Sequence, residues 1–376
     1  MKLSQPISIL AAGRLPQGRF GGALAGQGAV ALGEAAVRAL LQDPALPRPT
    51  RLSWGMARSH TQGMNPGRTI AVRAGLGHQV VGTTLNMACG SGMGAIFQAA
   101  QALLLGEPGP VVAGGSEAMS DNPHLIPNLR WGFRLGHRPL PDVMHQDGLL
   151  CPLTGLLMGE TVEHLVKARG ITRAQADHYA LESHRRSASA DFSAEHLPHP
   201  LLDHDECIRP EASLAELEAL APIFSPGGQV TAGNASALSD GAAALLLARE
   251  GGSESLGRIL GWTEVALDPM EMGAAPIPAI RTLLDQCGLQ LRDIDLWEIN
   301  EAFAAQVLCC AEALDLPMDR LNIAGGAISL GHPIGASGAR IVVAILHRLR
   351  QRGGGLGIAT LGIGGGLGQA VLVEVR

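Results

Sequence analysis

Aromatic side chains are scarce in this chain: one Tyr, four Trp and six Phe account for 3% of its 376 residues. A core with so few rings has to be packed by aliphatic side chains and by close backbone approach. The 50 glycines fit that picture in a protein of sheets and helices. Charge is thin as well, 16% of residues with a net −6, which argues against general affinity for nucleic acid or anionic membranes. A local basic pocket for a phosphate ligand is still compatible with it. No apolar run approaches the roughly 20 residues needed to span a bilayer. The N-terminus, M-K-L-S-Q-P-I-S-I-L, lacks a sustained apolar region ending in a cleavage site. The six cysteines, at 89, 151, 207, 287, 309 and 310, show no paired spacing, and adjacent Cys309 and Cys310 are poor partners for each other. Reduced thiols in a cytoplasmic protein are the expectation.

What is present alternates. Short apolar, β-branched runs are expected as strands at Pro6 to Ala11, Leu52 to Gly55, Val80 to Leu85 and Pro110 to Gly115. Helical spacing of apolar residues falls between them, at Ala29 to Leu41, Arg68 to Ala74 and from Ser91 onward. Strands alternating with helices imply βαβ crossovers and a mostly parallel sheet. Near Ser120 the texture turns proline- and histidine-rich, with amphipathic helices at Met158 to Arg169 and Arg173 to Ala190. A second alternating block follows, and its glycine turns echo the first: N-I-A-G-G-A-I at Asn322 repeats N-M-A-C-G-S-G at Asn86. The expected division is a first core half at 1–119, an insertion at 120–240, a return strand at 241–254 and a second core half at 255–376.

Three stretches could carry chemistry. Cys89 sits between small residues just before the helix expected from Ser91, where the helix dipole and free N–H groups favour a thiolate. A small buried cysteine in a glycine-rich turn would read the same locally. In G-H-P-I-G-A-S-G, His332 lies in a stiff turn from which it can serve a partner thiol as base, although an ordinary loop histidine fits too. Asn300 opens N-E-A-F-A after an expected strand, a position suited either to capping a helix or to orienting a water or an acyl oxygen. His196, His199 and His204 match no zinc template, so no metal site is expected. G-Q-G-A-V-A at Gly26 lacks the third glycine and the preceding strand of a dinucleotide site.

In this order and spacing, N-M-A-C-G-S-G, N-E-A-F-A and G-G-A-I-S-L-G-H-P-I-G-A-S-G-A-R resemble the signature segments of the thiolase family. V-A-G-G-S-E-A-M-S, M-G-E-T-V-E and V-T-A-G-N-A-S extend the match along nearly the whole chain. The resemblance implies a duplicated α/β fold, a five-layer α-β-α-β-α core with an inserted loop domain that clamps coenzyme A. It implies that Cys89 is acylated and that His332 activates it. Asn300 would hold a water in one oxyanion hole, and the N–H groups of Cys89 and Gly364 would form the other. Arg209 and Ser236 match positions along the coenzyme A channel, and Met158, Phe224 and Phe303 would wall the pantetheine and acyl site. An acyl-CoA substrate, no tightly bound cofactor and a homodimer or homotetramer follow from the same resemblance.

One departure stands out. The family's last motif usually reads C-I-G-G-G, with the cysteine as a second acid/base; here Gly362 takes its place. The resemblance therefore implies an acyl-CoA acyltransferase whose carbon–carbon chemistry is in question. A non-condensing acyl transferase or thioesterase on the same fold, or a non-catalytic acyl-CoA-binding subunit, are the alternatives. A ketoacyl synthase shares the Cys/His/Asn chemistry but not this C-terminal motif or the insertion.

Overall fold

A computed structural model of the chain describes residues 1–249 and 255–376. Its ten strands form one sheet in the order β4-β3-β5-β6-β1-β7-β10-β9-β8, with the two-residue β2 (Gly18–Arg19) paired onto β6. The first half contributes β1 (Lys2–Arg14), β3 (Arg51–Gly55), β4 (Val81–Leu85), β5 (Val111–Ala118) and β6 (Ser239–Ala248). The second contributes β7 (Gly257–Ala266), β8 (Leu296–Ile299), β9 (Gly355–Ile363) and β10 (Leu367–Val375). β1 outgrows its expected span because it is paired on both sides, to β6 and to β7.

The sheet is mixed, not mostly parallel. Parallel pairing is limited to β3 with β4 and β5, and β8 with β9. The short Gly364–Gly366 loop between β9 and β10 forces that pair to be antiparallel, and β6, β1 and β7 are antiparallel to their neighbours too.

Reading outward from the β1–β7 seam shows the duplication. One side runs β1-β6-β5-β3-β4 and the other β7-β10-β9-β8, after which an isolated parallel bridge, Trp297–Leu321, stands where a further strand would lie. The echoing turns match as well, through bridges Met87–Cys89 and Ile323–Gly325. Gly325 is thus the second half's counterpart of Cys89.

Period-two alternation of side chains separates the layers. Val112, Ala242, Ala244 and Leu246 pack under α1 (Ala29–Leu40) and α2 (Pro66–Arg73) on one outer face. Val111, Ala113, Leu245 and Leu247 point the other way, to a middle layer of α3 (Ser91–Leu104) and α10 (Ile334–Gln351). Leu361, Ile363, Val371 and Val373 meet the same middle layer from the second half. Its outer face packs under α7 (Pro276–Cys287) and α8 (Ala304–Leu314). The result is a duplicated α-β-α-β-α core. In the middle layer the two helices touch backbone to backbone: a Cβ at Gly92 would stand 2.8 Å from the Ala339 nitrogen, and one at Gly338 2.5 Å from that of Met93.

Between β5 and β6 lies a segment with helices α4 (Met158–Arg169), α5 (Arg173–Ser189) and α6 (Leu214–Glu218). Buried polar groups fasten it to both halves. Arg14, at the end of β1, reaches Asp205 at 2.7 and 2.9 Å and Glu195 at 2.8 Å. On the other side Glu301 accepts from Tyr179 at 2.9 Å, Ser183 at 2.7 Å and Asn322 at 3.1 Å. The chain rejoins the first half at Ser239; of the segment expected at 241–254, residues 250–254 lie outside the described ones.

Candidate active site

Cys89 occupies a tight turn between β4 and α3. The Ser91 hydroxyl accepts from the Met87 N–H at 2.9 Å and donates to the Ala88 carbonyl at 2.6 Å, and Ala88 is held at φ 46°. A left-handed alanine is an unfavourable conformation that the surrounding bonds impose. Helix α3 begins at Ser91, so Cys89 precedes the Gly90 cap. The expected thiolate-favouring shift is absent. Burial pushes the Cys89 thiol up, and the N–H groups of Gly364 and of Cys89 itself, with the Arg58 charge, only partly oppose it. Desolvation outweighs the dipole of the helix start.

The Gly364 N–H comes from the β9–β10 hairpin of the other half. Its loop turns through φ 90° at Gly365 and 83° at Gly366, angles at which a side chain would be strained. The next N–H, of Gly365, bonds the sulfur of buried Cys151 in the insertion. Burial acts upward on that thiol too. Here the Thr154 hydroxyl and the N–H groups of Thr154, Leu153 and Gly365 outweigh it and depress the thiol. Two cysteines thus share one glycine hairpin with opposite shifts.

His332 is buried, and its Nδ1 lies 2.6 Å from Ser337 Oγ. That hydroxyl donates to the Pro333 carbonyl at 3.0 Å, so with its one proton spent it accepts from Nδ1–H and leaves the lone pair on Nε2. Burial, with the charges of Arg340 and Arg58, pushes the imidazole down to about 3, and the ring is neutral.

Asn300 follows β8, but α8 starts only at Ala304 with Phe303 at its cap; Asn300 does not cap it. Its Oδ1 accepts from Arg340 at 3.3 Å, and its Nδ2 is buried with no partner. Arg340 in turn donates to Glu298 at 2.9 Å. Burial pushes the Glu298 carboxyl up to about 8.

Two further residues were not singled out from the sequence. Arg58, just past β3, is 3% exposed, and its guanidinium acts on both Cys89 and His332. Glu117, in β5, accepts from the N–H groups of Ala57 at 3.1 Å and Gly335 at 3.0 Å through one oxygen. Burial pushes its carboxyl up to about 7 against the pull of Arg58.

The residues expected to bind ligand lie around this centre unevenly. A Cβ on Gly364 would meet the Met158 sulfur at 3.2 Å, so Met158 borders the hairpin. Phe303 and Phe224 meet edge to face at 6.1 Å. Phe224 also lines a cleft of about 530 Å³ with Lys167, His164 and residues 225–229 of the insertion. Ser236 joins the Phe303 side, donating its N–H to the Ala302 carbonyl at 3.0 Å. Arg209 is exposed at the surface of the insertion, its N–H donating to His184 at 3.2 Å.

Family models for the thiolase N-terminal and C-terminal domains match residues 7–251 and 253–375. The chain belongs to the thiolase family. Among similar proteins, an acetyl-CoA acetyltransferase of Chromobacterium violaceum is 42% identical over 98% of this chain and 99% of its own length. One from Escherichia coli is 41% identical over 97% and 98%. The human mitochondrial 3-ketoacyl-CoA thiolase, solved in complex with CoA, superimposes with a TM-score of 0.96 at 36% identity, over 100% of this chain and 99% of that one. The Bacillus anthracis acetyl-CoA acetyltransferase gives 0.95 at 38% identity over the full length of both. The protein is a thiolase-like acyltransferase.

Within this thiolase, Gly362 lies in β9 opposite Gly368, and a Cβ there would stand 2.4 Å from the Met272 carbonyl oxygen. The space a side chain would need is filled by backbone. Among the described residues no cluster of His, Cys, Asp and Glu could hold a metal ion. His196 pairs with Asp205 at 3.2 Å and His204 with Asp203 at 2.7 Å.

Proposed function

We propose that this thiolase moves acyl groups between thioesters of coenzyme A through an acyl-enzyme on Cys89. The observation that carries the reading is the Gly364 N–H directed at the Cys89 sulfur from the opposite half of the molecule. In this reading Nε2 of the neutral His332 takes the thiol proton as sulfur attacks the thioester carbonyl. The carbon–sulfur bond to coenzyme A breaks, and its departing sulfur takes that proton from His332. Negative charge on the carbonyl oxygen falls between the N–H groups of Cys89 and Gly364, where one such donor is worth about 3–4 kcal/mol. Asn300 Nδ2, a buried donor without a protein partner, holds a water that with His332 receives the enolate of the second thioester. Met158, Phe224 and Phe303 wall the pantetheine and acyl group, with Ser236 and Arg209 further along the coenzyme A arm. The resemblance over full length to a thiolase solved with CoA supports that placement.

Acid quench of the enzyme with acetyl-CoA, followed by mass spectrometry of the peptides, tests the reading. One acetyl group on Cys89, absent from Cys89→Ser, is expected. No label on Cys89 from any acyl-CoA overturns it and leaves a binding subunit.

Carbon–carbon chemistry needs a second acid/base, and the backbone packed at Gly362 leaves no room for one there. Cys151 supplies it in our reading, because its depressed thiol shares the glycine hairpin with Cys89. Its thiolate removes the α-proton of the acyl-CoA in condensation and returns it in thiolysis. The ratio of 3-ketoacyl-CoA thiolysis to Cys89 acylation should then fall by about 10²–10⁴ in Cys151→Ser. A wild type that acylates without thiolysing supports the non-condensing transferase instead.

A further inference from the structure

Arg58 is a buried cation whose guanidinium lacks a hydrogen-bond partner. Nε, Nη1 and Nη2 are all shielded from solvent, and none has a hydrogen-bond partner among the described residues. Its nearest countercharge, Glu117 Oε1, stands 4.0 Å away, beyond hydrogen-bond reach, and that oxygen also lacks a partner. A guanidinium offers five N–H donors in a fixed fork, and leaving them all unmet in a protein interior is costly. The arrangement is nonetheless built. A Cβ on Gly148 would lie 1.6 Å from Nη2, so the insertion gives up a side chain there to let the fork rest against its backbone.

The position of the fork points to what it lacks. Arg58 sits between the insertion and the end of β3, and its charge bears on both the Cys89 thiol and the His332 ring. The Ala57 carbonyl next to Arg58 accepts from Asn86 Nδ2 at 2.9 Å, three residues before Cys89, so an acyl group on Cys89 is within its electrostatic reach. A carboxylate matches a guanidinium two oxygens to two nitrogens, and it would supply the missing acceptors. The turn that covers the fork, His145–Leu149 with Gly148 in it, has its residues 145–147 exposed.

We infer that Arg58 is a specificity-determining residue that receives a carboxylate on the acyl group, so that the preferred substrates are coenzyme A monothioesters of dicarboxylic acids. The inference rests on the acyl-enzyme reading above. It follows that an uncharged acyl group of equal length leaves the fork unmet and reacts more slowly.

The test compares Cys89 acylation by succinyl-CoA and glutaryl-CoA with butyryl-CoA and valeryl-CoA, followed by mass spectrometry. In wild type the carboxylated member of a pair should acylate faster. Arg58→Met, of similar length without charge, should lower the carboxylated-to-neutral ratio by roughly 100-fold, the scale of losing a buried charge pair. Arg58→Lys, with charge but no fork, should fall between. An independent probe is the rate of Cys89 alkylation by iodoacetate relative to iodoacetamide, which needs no acyl transfer and in which thiol ionisation cancels. That ratio should also drop in Arg58→Met. Equal wild-type rates for carboxylated and neutral acyl groups overturn the inference without any variant, as does an Arg58→Met effect equal on both classes. The latter would leave Arg58 a counter-ion to Glu117 bridged by water. If no thioester labels Cys89 but the alkylation ratio responds as expected, the acyl-enzyme reading has failed while the anion site stands.

Discussion

Arg340 donates to Asn300 Oδ1 at 3.3 Å, and this contact fixes which end of the amide is left free. With the oxygen engaged, Nδ2 is the end without a partner, which is the donor the proposed oxyanion hole requires. Asn300→Asp keeps the acceptor for Arg340 and replaces the donor with a carboxylate oxygen. The second half-reaction should slow by about 10²–10³, the range measured when one such donor is removed. Rapid-quench kinetics of the two half-reactions, with calorimetry to show an unaltered fold, check this. An equal loss after Asn300→Asp in acylation and condensation would place the amide elsewhere.

Acidification should destabilise the protein through His332. Its ring is pushed from 6.5 down to about 3 on folding, so the unfolded chain takes up the proton first. The stabilising contribution is complete above 6.5 and is lost as pH falls toward 3. His184, pushed down to about 4, acts in the same direction. His332→Gln should therefore show a shallower fall of Tm across that window than wild type, with His184 still contributing. Parallel slopes would mean that His332 is already charged in the folded state.

Alkylation of Cys89 should follow its shifted thiol. The Cys89 thiol is pushed up, so its labelling by iodoacetamide should rise steeply on the alkaline side and be weak at mildly acidic pH. Acyl-CoA should protect it. Efficient acid-side labelling of Cys89 in the free enzyme would show that the helix start outweighs desolvation after all.

Restoring a cysteine at Gly362 should fail for steric reasons. The added Cβ meets the Met272 carbonyl, a backbone atom that a second side-chain change cannot trim away. Gly362→Cys and Gly362→Ala should both lose about 1–3 kcal/mol in denaturant unfolding, with no gain of thiolysis in the former. A stable, more active Gly362→Cys would show that this strand yields.

Surface charge on the insertion supplies a milder test. Arg209 is exposed, and its hydrogen bonds among the described residues are backbone ones, its N–H donating to His184 and its carbonyl accepting from the Ala212 N–H. Arg209→Ala should raise the Kd for acyl-CoA by about 10-fold, the scale of one charge-assisted bond, and leave acylation at saturation close to wild type. Unchanged affinity would move the coenzyme A arm off this surface.

Much of the architecture can be read along the chain because its signals are local. Helix α4 spans Met158–Arg169 as its apolar period and the left-handed Gly170 require. The echo of N-M-A-C by N-I-A-G reappears as matching bridges in the two halves. Strand direction was less legible, since a pairing partner such as β6 for β1 arrives from across the insertion. Asn300 resembles a helix cap because its neighbours read as helix, yet its amide oxygen is taken by Arg340. The sign of the Cys89 shift is likewise tertiary: no local pattern reveals how dry a turn becomes once another half covers it. Arg58 and Glu117 escaped for the same reason: Arg58 stands in no motif, the Glu of V-A-G-G-S-E-A-M-S shows no role along the chain, and only folding brings the two face to face.

The glycine crossing of α3 and α10 sets a mechanical tolerance on the whole reaction. Cys89 hangs from one helix and His332 precedes the other, and the helices touch through Gly92 and Gly338 with no side chain between them. The gap between the proposed nucleophile and base is then gauged by peptide backbones, which do not change rotamer. A single methyl group at Gly92 would act as a shim, opening that gap and stalling the enzyme while every reacting group stayed chemically intact.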